Sequence, residues 1–311
     1  MAGFDAIGNH IGLIIFPIAL DIFLWFGPHL RLTRFIEALL GQFLAQPEMT
    51  TPEMSEMVRT SREIWLLAAE RFNLASVLRS YPVGIPSLMI SRLPVETPLG
   101  FPLAWEVPSA GAAIGLWIGM TLFGLVIGTL YFGFVSQVTL SGKMDVRKAF
   151  GQWPRAALQV ISLAIFCLAL LIGVSIPFSC FFTLLFLSGI GVSRFAFLLL
   201  ASLFVWLLLM LVFTPHGIFA KQSSMWVSIS EGVLLARKTF PTTGFFILVI
   251  LILSEGLDIL WKIPAETSWL AIVAIAGHAF VTTALLAATF VYYRDATRWI
   301  QRLQQQAAMA S

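Results

Sequence analysis

The sequence is poor in charged residues. Only 11% of its 311 residues are Asp, Glu, Lys or Arg, whereas a soluble domain carries about 25%. Hydrophobic residues make up 59% of the chain, and the mean hydropathy is +0.90. A chain of this composition cannot cover its surface with polar side chains, which excludes a soluble enzyme or a nucleic-acid-binding protein. The composition therefore predicts an integral membrane protein whose first partner is the lipid bilayer.

Motifs of catalysis and cofactor binding are also missing. The sequence contains no HExxH, GxSxG, P-loop or CxxC pattern. Its two cysteines, Cys167 and Cys180, lie in apolar stretches, which favours buried free thiols. We therefore expect no catalytic residue, no metal, no cofactor and no nucleic-acid partner.

Long apolar runs are what the sequence does contain. About 20 mostly apolar residues cross the hydrocarbon core as a helix, and a helix satisfies its own backbone polar groups in lipid. We predict an all-α integral membrane bundle of about six transmembrane helices. The predicted spans are residues 7–27, 109–135, 156–175, 195–213, 245–261 and 269–292.

The stretch after the third span allows two interpretations. Pro177 should stop or kink that helix. The apolar residues 178–190 that follow are few for a span, which favours an interfacial or re-entrant piece over part of a span.

Basic residues predict the orientation of the chain. With a cytoplasmic N-terminus, ten Lys and Arg fall in the cytoplasmic connections and tail, and only Arg194 and Lys262 fall in the two short outer connections. This positive-inside bias predicts a multi-pass protein of the bacterial cytoplasmic membrane with both termini inside. The ten are Lys143, Arg147, Lys148, Arg155, Lys221, Arg237, Lys238, Arg294, Arg298 and Arg302.

The spans divide the chain into four parts. Residues 1–27 form the first transmembrane helix, 28–108 an extracytoplasmic cap, 109–293 a five-helix membrane domain, and 294–311 a cytoplasmic amphipathic tail. The cap has amphipathic faces at helical spacing and six prolines between Pro82 and Pro108. We expect it to cover the outer ends of the spans.

An internal repeat is suggested by two similar segments. Val146–Pro154 and Val233–Pro241 both read V-x-x-A-x-x-x-aromatic-P, and each precedes an apolar run. Each proline should end a surface helix and open the next span. We predict two parallel repeats of span, surface helix and span. Tyr293–Ile300 could be half of a third copy. The alternative is that there is no repeat, because any amphipathic linker that contains a proline can show this pattern.

This pattern resembles the linker repeats of the membrane-domain family found beside bacterial glycerophosphodiester phosphodiesterases and of YciC-like proteins. The resemblance covers about residues 130–253. The opening Pro17–Pro28 looks like the start of uncharacterised bacterial membrane proteins of similar size. The resemblance implies a six-helix integral module and carries over no catalytic residues.

Four ionisable residues lie inside predicted spans: Asp21, Glu255, Asp258 and His278. Such residues are costly in lipid and are functional candidates, so these four form the candidate polar or ion site. The competing interpretation is structural, with the carboxylates paired to cap arginines such as Arg31 or Arg34. His29, near the predicted membrane surface, is given no role.

Glycines spaced by four along the second span predict close helix packing. We expect this packing to be intramolecular, although a second copy of the protein would fit the same pattern. The glycines are Gly111, Gly115, Gly119, Gly124 and Gly128.

Three functions remain, in decreasing order of support. The first is a non-catalytic accessory or assembly factor of a membrane complex, with another membrane-protein subunit as its partner. The second is a small transporter or channel-like protein that uses the intramembrane carboxylates. The third is a lipid-active membrane enzyme.

Overall fold

A computed structural model describes residues 2–44, 52–187 and 194–310, and its fold is all-α as predicted. Five helices are long and apolar enough to cross a membrane, and a bent pair near the N-terminus adds a sixth if it counts as one span. The protein is thus a multi-pass membrane protein. The helices are α1 (Ala2–Gly8), α2 (Ile15–Phe26), α3 (Thr33–Leu44), α4 (Pro52–Arg71), α5 (Leu88–Arg92), α6 (Ala110–Ser141), α7 (Val146–Leu187), α8 (Arg194–Leu211), α9 (Thr214–Lys221), α10 (Met225–Lys238), α11 (Phe240–Trp261) and α12 (Ala271–Ala310).

The two ends of the bundle differ in what they carry. At one end, here called the cap end, α2 leads into residues 28–108 and α6 begins after them. At the other, here called the basic end, α6 gives way to α7 and α10 gives way to α11. Of the basic residues predicted to be cytoplasmic, Lys143 lies in the connection from α6 to α7, and the others lie near the ends of α7, α9 and α10 or in the last part of α12.

The first apolar segment is broken, so the prediction of one helix over 7–27 is wrong. Helix α1 ends where Asn9 N donates to Asp5 O and His10 N donates to Ile7 O. The chain then turns by 91° before the next helical stretch. Gly8 and Asn9 have low helix propensity, which favours the break at this place. Helix α1 lies against α12 instead, where Gly3 touches the backbone of Ala284 and Ala288.

Helix α12 is the centre of the bundle. Half of its most apolar 18-residue window is buried, against 6% for α11. The buried face is rich in alanine, including Ala274, Ala279 and Ala287, and small side chains let neighbouring helices approach closely. The helix continues past Tyr293 to Ala310, so the predicted tail from 294 is a continuation of the last helix.

Helix α7 corrects the predicted end of the third span. It runs for 42 residues through both Pro154 and Pro177 to Leu187, so residues 178–187 are helical, and 188–190 lie outside the described residues. A proline inside an apolar helix is tolerated because neighbouring groups satisfy the backbone carbonyl that it frees.

The two copies of the predicted repeat differ in local structure. Pro154 lies within α7, whereas Pro241 lies in the first turn of α11, after Thr239 has separated that helix from α10. The expectation that each proline ends a surface helix therefore holds only for the second copy. The repeat itself stays a prediction.

The cap holds the only strands in the described ranges. They are β1 (His29–Arg31) and β2 (Ala104–Glu106), which pair in parallel with His29 opposite Ala104. Asn73 joins them to the rest of the cap, because its Oδ1 accepts from Leu30 N and from Ala75 N at 3.0 Å each.

Part of the cap enters the bundle rather than covering it. Residues 78–88, here called the inserted segment, lie against α6, and Val83 belongs to the main hydrophobic core together with Tyr131 and Val135. The carbonyl of Val83 meets Gly128, which is 18 residues into α6 and so about 27 Å along its axis. Irregular backbone at such a depth is tolerated where protein surrounds it.

Candidate functional site

Asp21 anchors the inserted segment. Its side chain is fully buried in α2 and accepts three hydrogen bonds: from Ser87 Oγ at 2.5 Å, Leu88 N at 3.1 Å and Met89 N at 2.9 Å. The structural interpretation named arginines of the cap as partners. The contacts are with the cap, but the donors are a serine hydroxyl and two backbone N–H groups.

Local sequence explains the donors. Ser87 precedes α5 in an extended conformation, and its Oγ also accepts from Ile90 N at 3.2 Å. It is thus the N-cap of the short helix, a role in which serine is favoured. The first-turn N–H groups of a helix lack partners within that helix, so those of Leu88 and Met89 are free to bind the Asp21 carboxylate.

Asp258 and His278 form a second polar group. Helices α11 and α12 bring Asp258 Oδ1 to 3.3 Å from His278 Nε2, and Lys262 Nζ lies 3.6 Å from Asp258 Oδ2. His278 is only 4% exposed, and its Nδ1 is buried without a hydrogen-bond partner among the described residues. The two polar groups lie near the same hydrophobic cluster, which joins Leu88 and Met89 to Ala274 and Ile275 of α12.

Glu255 stands apart from the other three. Its side chain is exposed and it makes no ion pair with a described residue. It shares an outward face of α11 with Leu248, Ile252 and Ile259, which are 52%, 61% and 72% exposed. The predicted four-residue site is therefore divided: Asp21, Asp258 and His278 face the interior, and Glu255 faces outward.

The glycines of α6 are divided in the same way. A Cβ atom at Gly124 would overlap the Leu78 carbonyl, and one at Gly128 would overlap the Val83 carbonyl. The predicted intramolecular packing is therefore present at these two positions, where the partner is the inserted segment rather than a helix. At the other three glycines no described atom lies within 4 Å of the position of a Cβ, so close packing there stays a prediction. Those three are Gly111, Gly115 and Gly119.

His216 was not identified from the sequence because it lies beyond the predicted end of the fourth span. The chain continues there as α9, and His216 is buried with Nε2 2.7 Å from Thr289 Oγ1 of α12. Its ring centroid lies 4.5 Å from that of Phe290. The apolar residues on both sides of His216 could have indicated that it is buried. Among the described residues, no group of three His, Cys, Asp or Glu side chains could hold a metal.

His29 gives the cap a dependence on pH. It is buried in β1 with Nε2 3.2 Å from Leu24 O, and burial lowers the pKa of its imidazole. Because the unfolded chain then binds this proton more readily than the folded one, stability is complete above the ordinary histidine pKa of about 6.5 and falls as the pH drops below it.

We expect the melting temperature of the protein to fall as the pH is lowered from about 7.5 to about 5.5. The fall should be smaller in His29→Gln, whose amide keeps a donor for Leu24 O. Equal pH profiles for the two proteins would contradict the assignment to His29.

Comparisons of the chain with models of protein families, with curated protein sequences and with solved structures gave no match. The similarity to YciC-like membrane domains therefore stays a prediction.

Proposed function

We propose that this chain is a non-catalytic accessory or assembly factor of a membrane complex, and that α11 is the helix that contacts its partner. The observation that carries this proposal is Glu255 on the outward apolar face of α11. The residue lies six positions before Trp261, and therefore about 9 Å inside the cap end of the helix.

An ionisable side chain in a span normally faces the protein interior, because lipid does not solvate it. Asp21 and Asp258 follow this rule and have partners within the chain. Glu255 does not, and the apolar residues around it allow a second helix to pack closely. A partner helix carrying a basic or hydroxyl side chain at the depth of Glu255 would satisfy its carboxylate.

The proposed location is the bacterial cytoplasmic membrane, with the basic end of the bundle and both termini in the cytoplasm. Supporting this orientation is the positive-inside rule applied to the ten basic residues of that end and the tail. Glu255 then lies in the outer half of the bilayer, and the partner helix must cross the same leaflet.

The test is complex formation in the native membrane. Wild type purified in mild detergent should migrate as a larger assembly, and Glu255→Leu should shift it to the free chain at unchanged melting temperature. Glu255→Gln, which keeps hydrogen bonding, should fall between the two. The control variant is Glu63→Gln on α4. Glu63 is exposed and forms a surface ion pair with Arg59, so this variant should leave the assembly intact.

A site-specific crosslink distinguishes the possible neighbours. A photoreactive residue at Ile252 or Ile259 should capture one protein helix that contains Lys, Arg, Ser, Thr, Asn or Gln near the crosslinked position. The same residue at Leu171 of α7, which is 50% exposed, should capture lipid. Capture of a second copy of this chain would contradict the proposal. So would a Glu255→Leu protein that keeps its partner subunit. Solute or ion flux in liposomes that is abolished by Asp258→Asn would support the transporter instead.

A further inference from the structure

A large cavity opens at the basic end between α1, the start of α11, and α12. Its volume is about 800 Å³, which is within the range of small-molecule sites. Phe246, Ala288 and Val291 line its apolar part, and Lys238, Asp295 and Trp299 line its mouth. None of these residues belongs to the polar groups described above.

The two parts of the cavity lie at different depths. The apolar residues belong to the long hydrophobic stretches of α11 and α12. Lys238 is the last residue of α10, just before α11 begins, and Asp295 and Trp299 follow the apolar part of α12. A cavity with an apolar floor inside the bilayer and a charged mouth at its surface matches the shape of a phospholipid.

The wall between floor and mouth is already formed. Tyr292 stacks on Phe246 with ring centroids 4.2 Å apart, and its hydroxyl lies 2.9 Å from Thr243 Oγ1. Thr243 Oγ1 is in turn 2.8 Å from Thr239 Oγ1, which donates to Leu235 O at 2.8 Å. Because the threonine and tyrosine protons are used inside this chain of hydroxyls, recognition of a headgroup falls to the charged residues.

The charges at the mouth have opposite signs. Lys238 is exposed and makes no ion pair with a described residue. Asp295 contacts its neighbour Arg294 at 2.8 Å with both side chains partly exposed, an arrangement that contributes little and leaves a carboxylate oxygen available. Trp299, also at the mouth, is 48% exposed and presents an aromatic surface of the kind that attracts ammonium groups.

We propose that this cavity binds phosphatidylethanolamine, with the phosphate at Lys238, the ammonium at Asp295 and Trp299, and an acyl chain along Phe246, Ala288 and Val291. An anionic headgroup would lack the interaction with Asp295. A choline headgroup would lack N–H donors for the carboxylate.

Native mass spectrometry of the purified protein with added lipids tests the proposal. Wild type should retain one phosphatidylethanolamine about fivefold more tightly than phosphatidylglycerol or phosphatidylcholine, the size expected of partly exposed charge pairs. Asp295→Asn should remove the preference for phosphatidylethanolamine over phosphatidylglycerol. Lys238→Gln should weaken both lipids, and Val291→Trp, which fills the floor, should abolish specific retention.

A matched control is available at the turn between α6 and α7. Lys143→Gln combined with Asp145→Asn removes one charge of each sign, and asparagine keeps the capping role of Asp145 towards Lys148 N. This variant should keep the lipid preference of wild type. Equal retention of the three lipids by wild type, tighter retention of phosphatidylglycerol, or a preference that survives both Lys238→Gln and Asp295→Asn would overturn the proposal.

Discussion

Asp21→Ala should lower the free energy of unfolding by about 3–5 kcal/mol, because it leaves buried donors without an acceptor. Ser87 Oγ, Leu88 N and Met89 N would all lose their bond to the carboxylate. The position is fully buried, so these donors have no contact with bulk water in place of the carboxylate. The measurement is the midpoint of thermal unfolding and the yield of folded protein in detergent.

Two further variants separate the hydrogen bonds from the charge. Ser87→Ala removes one donor, together with the side-chain cap of α5, and should have a smaller effect of about 1–2 kcal/mol. Asp5→Ala removes an exposed carboxylate of α1 and should leave stability unchanged. An Asp21→Ala protein as stable as wild type would show that the inserted segment is held by packing alone.

Gly128→Ala should destabilise the protein by about 2–3 kcal/mol, because overpacking a close contact forces the backbone to move. The added Cβ would overlap the carbonyl oxygen of Val83, and backbone cannot move aside as a flexible side chain can. Gly124→Ala should behave similarly, through its contact with Leu78. Thermal unfolding measures the loss. Protease cleavage within the inserted segment, which should become accessible, provides a second measurement.

The same helix provides the control. Gly119 and Gly133 have no described atom within 4 Å of the position that an added methyl group would take, so alanine there meets no obstacle. Alanine is the better helix former by about 0.5–1 kcal/mol, so Gly119→Ala and Gly133→Ala should be neutral or stabilising. The same loss of stability at all four glycines would attribute the effect to α6 itself and not to its contact with the inserted segment.

The long apolar helices could be predicted from the sequence because hydrophobic length alone determines them. Helices α6, α11 and α12 begin within a few residues of their predicted starts. The break after Gly8 is not set by hydrophobic length. Gly8 and Asn9 weaken the helix there, but the sequence does not show that α1 packs against α12 through Gly3. The continuation of α7 past Pro177 was also not predicted. Proline usually ends a helix, but it is tolerated inside an apolar membrane helix.

The candidate site was only partly predictable. Sequence reasoning selected Asp21, Asp258, His278 and Glu255 because charge is rare in apolar segments. It could not distinguish the buried carboxylates from the outward one, because that depends on which face of α11 meets α12. The partner of Asp21 was also out of reach, since Ser87 is 66 positions away and lies in a segment that resembles an ordinary surface loop.

The inserted segment has a consequence for the order of biosynthesis. Residues 78–88 leave the ribosome after α2 and before α6, yet their resting place needs both helices, through Asp21 on one side and Gly124 and Gly128 on the other. The segment therefore cannot reach its final position while it is being made. It can settle only after α6 has been inserted, so this part of the fold forms out of the order of synthesis.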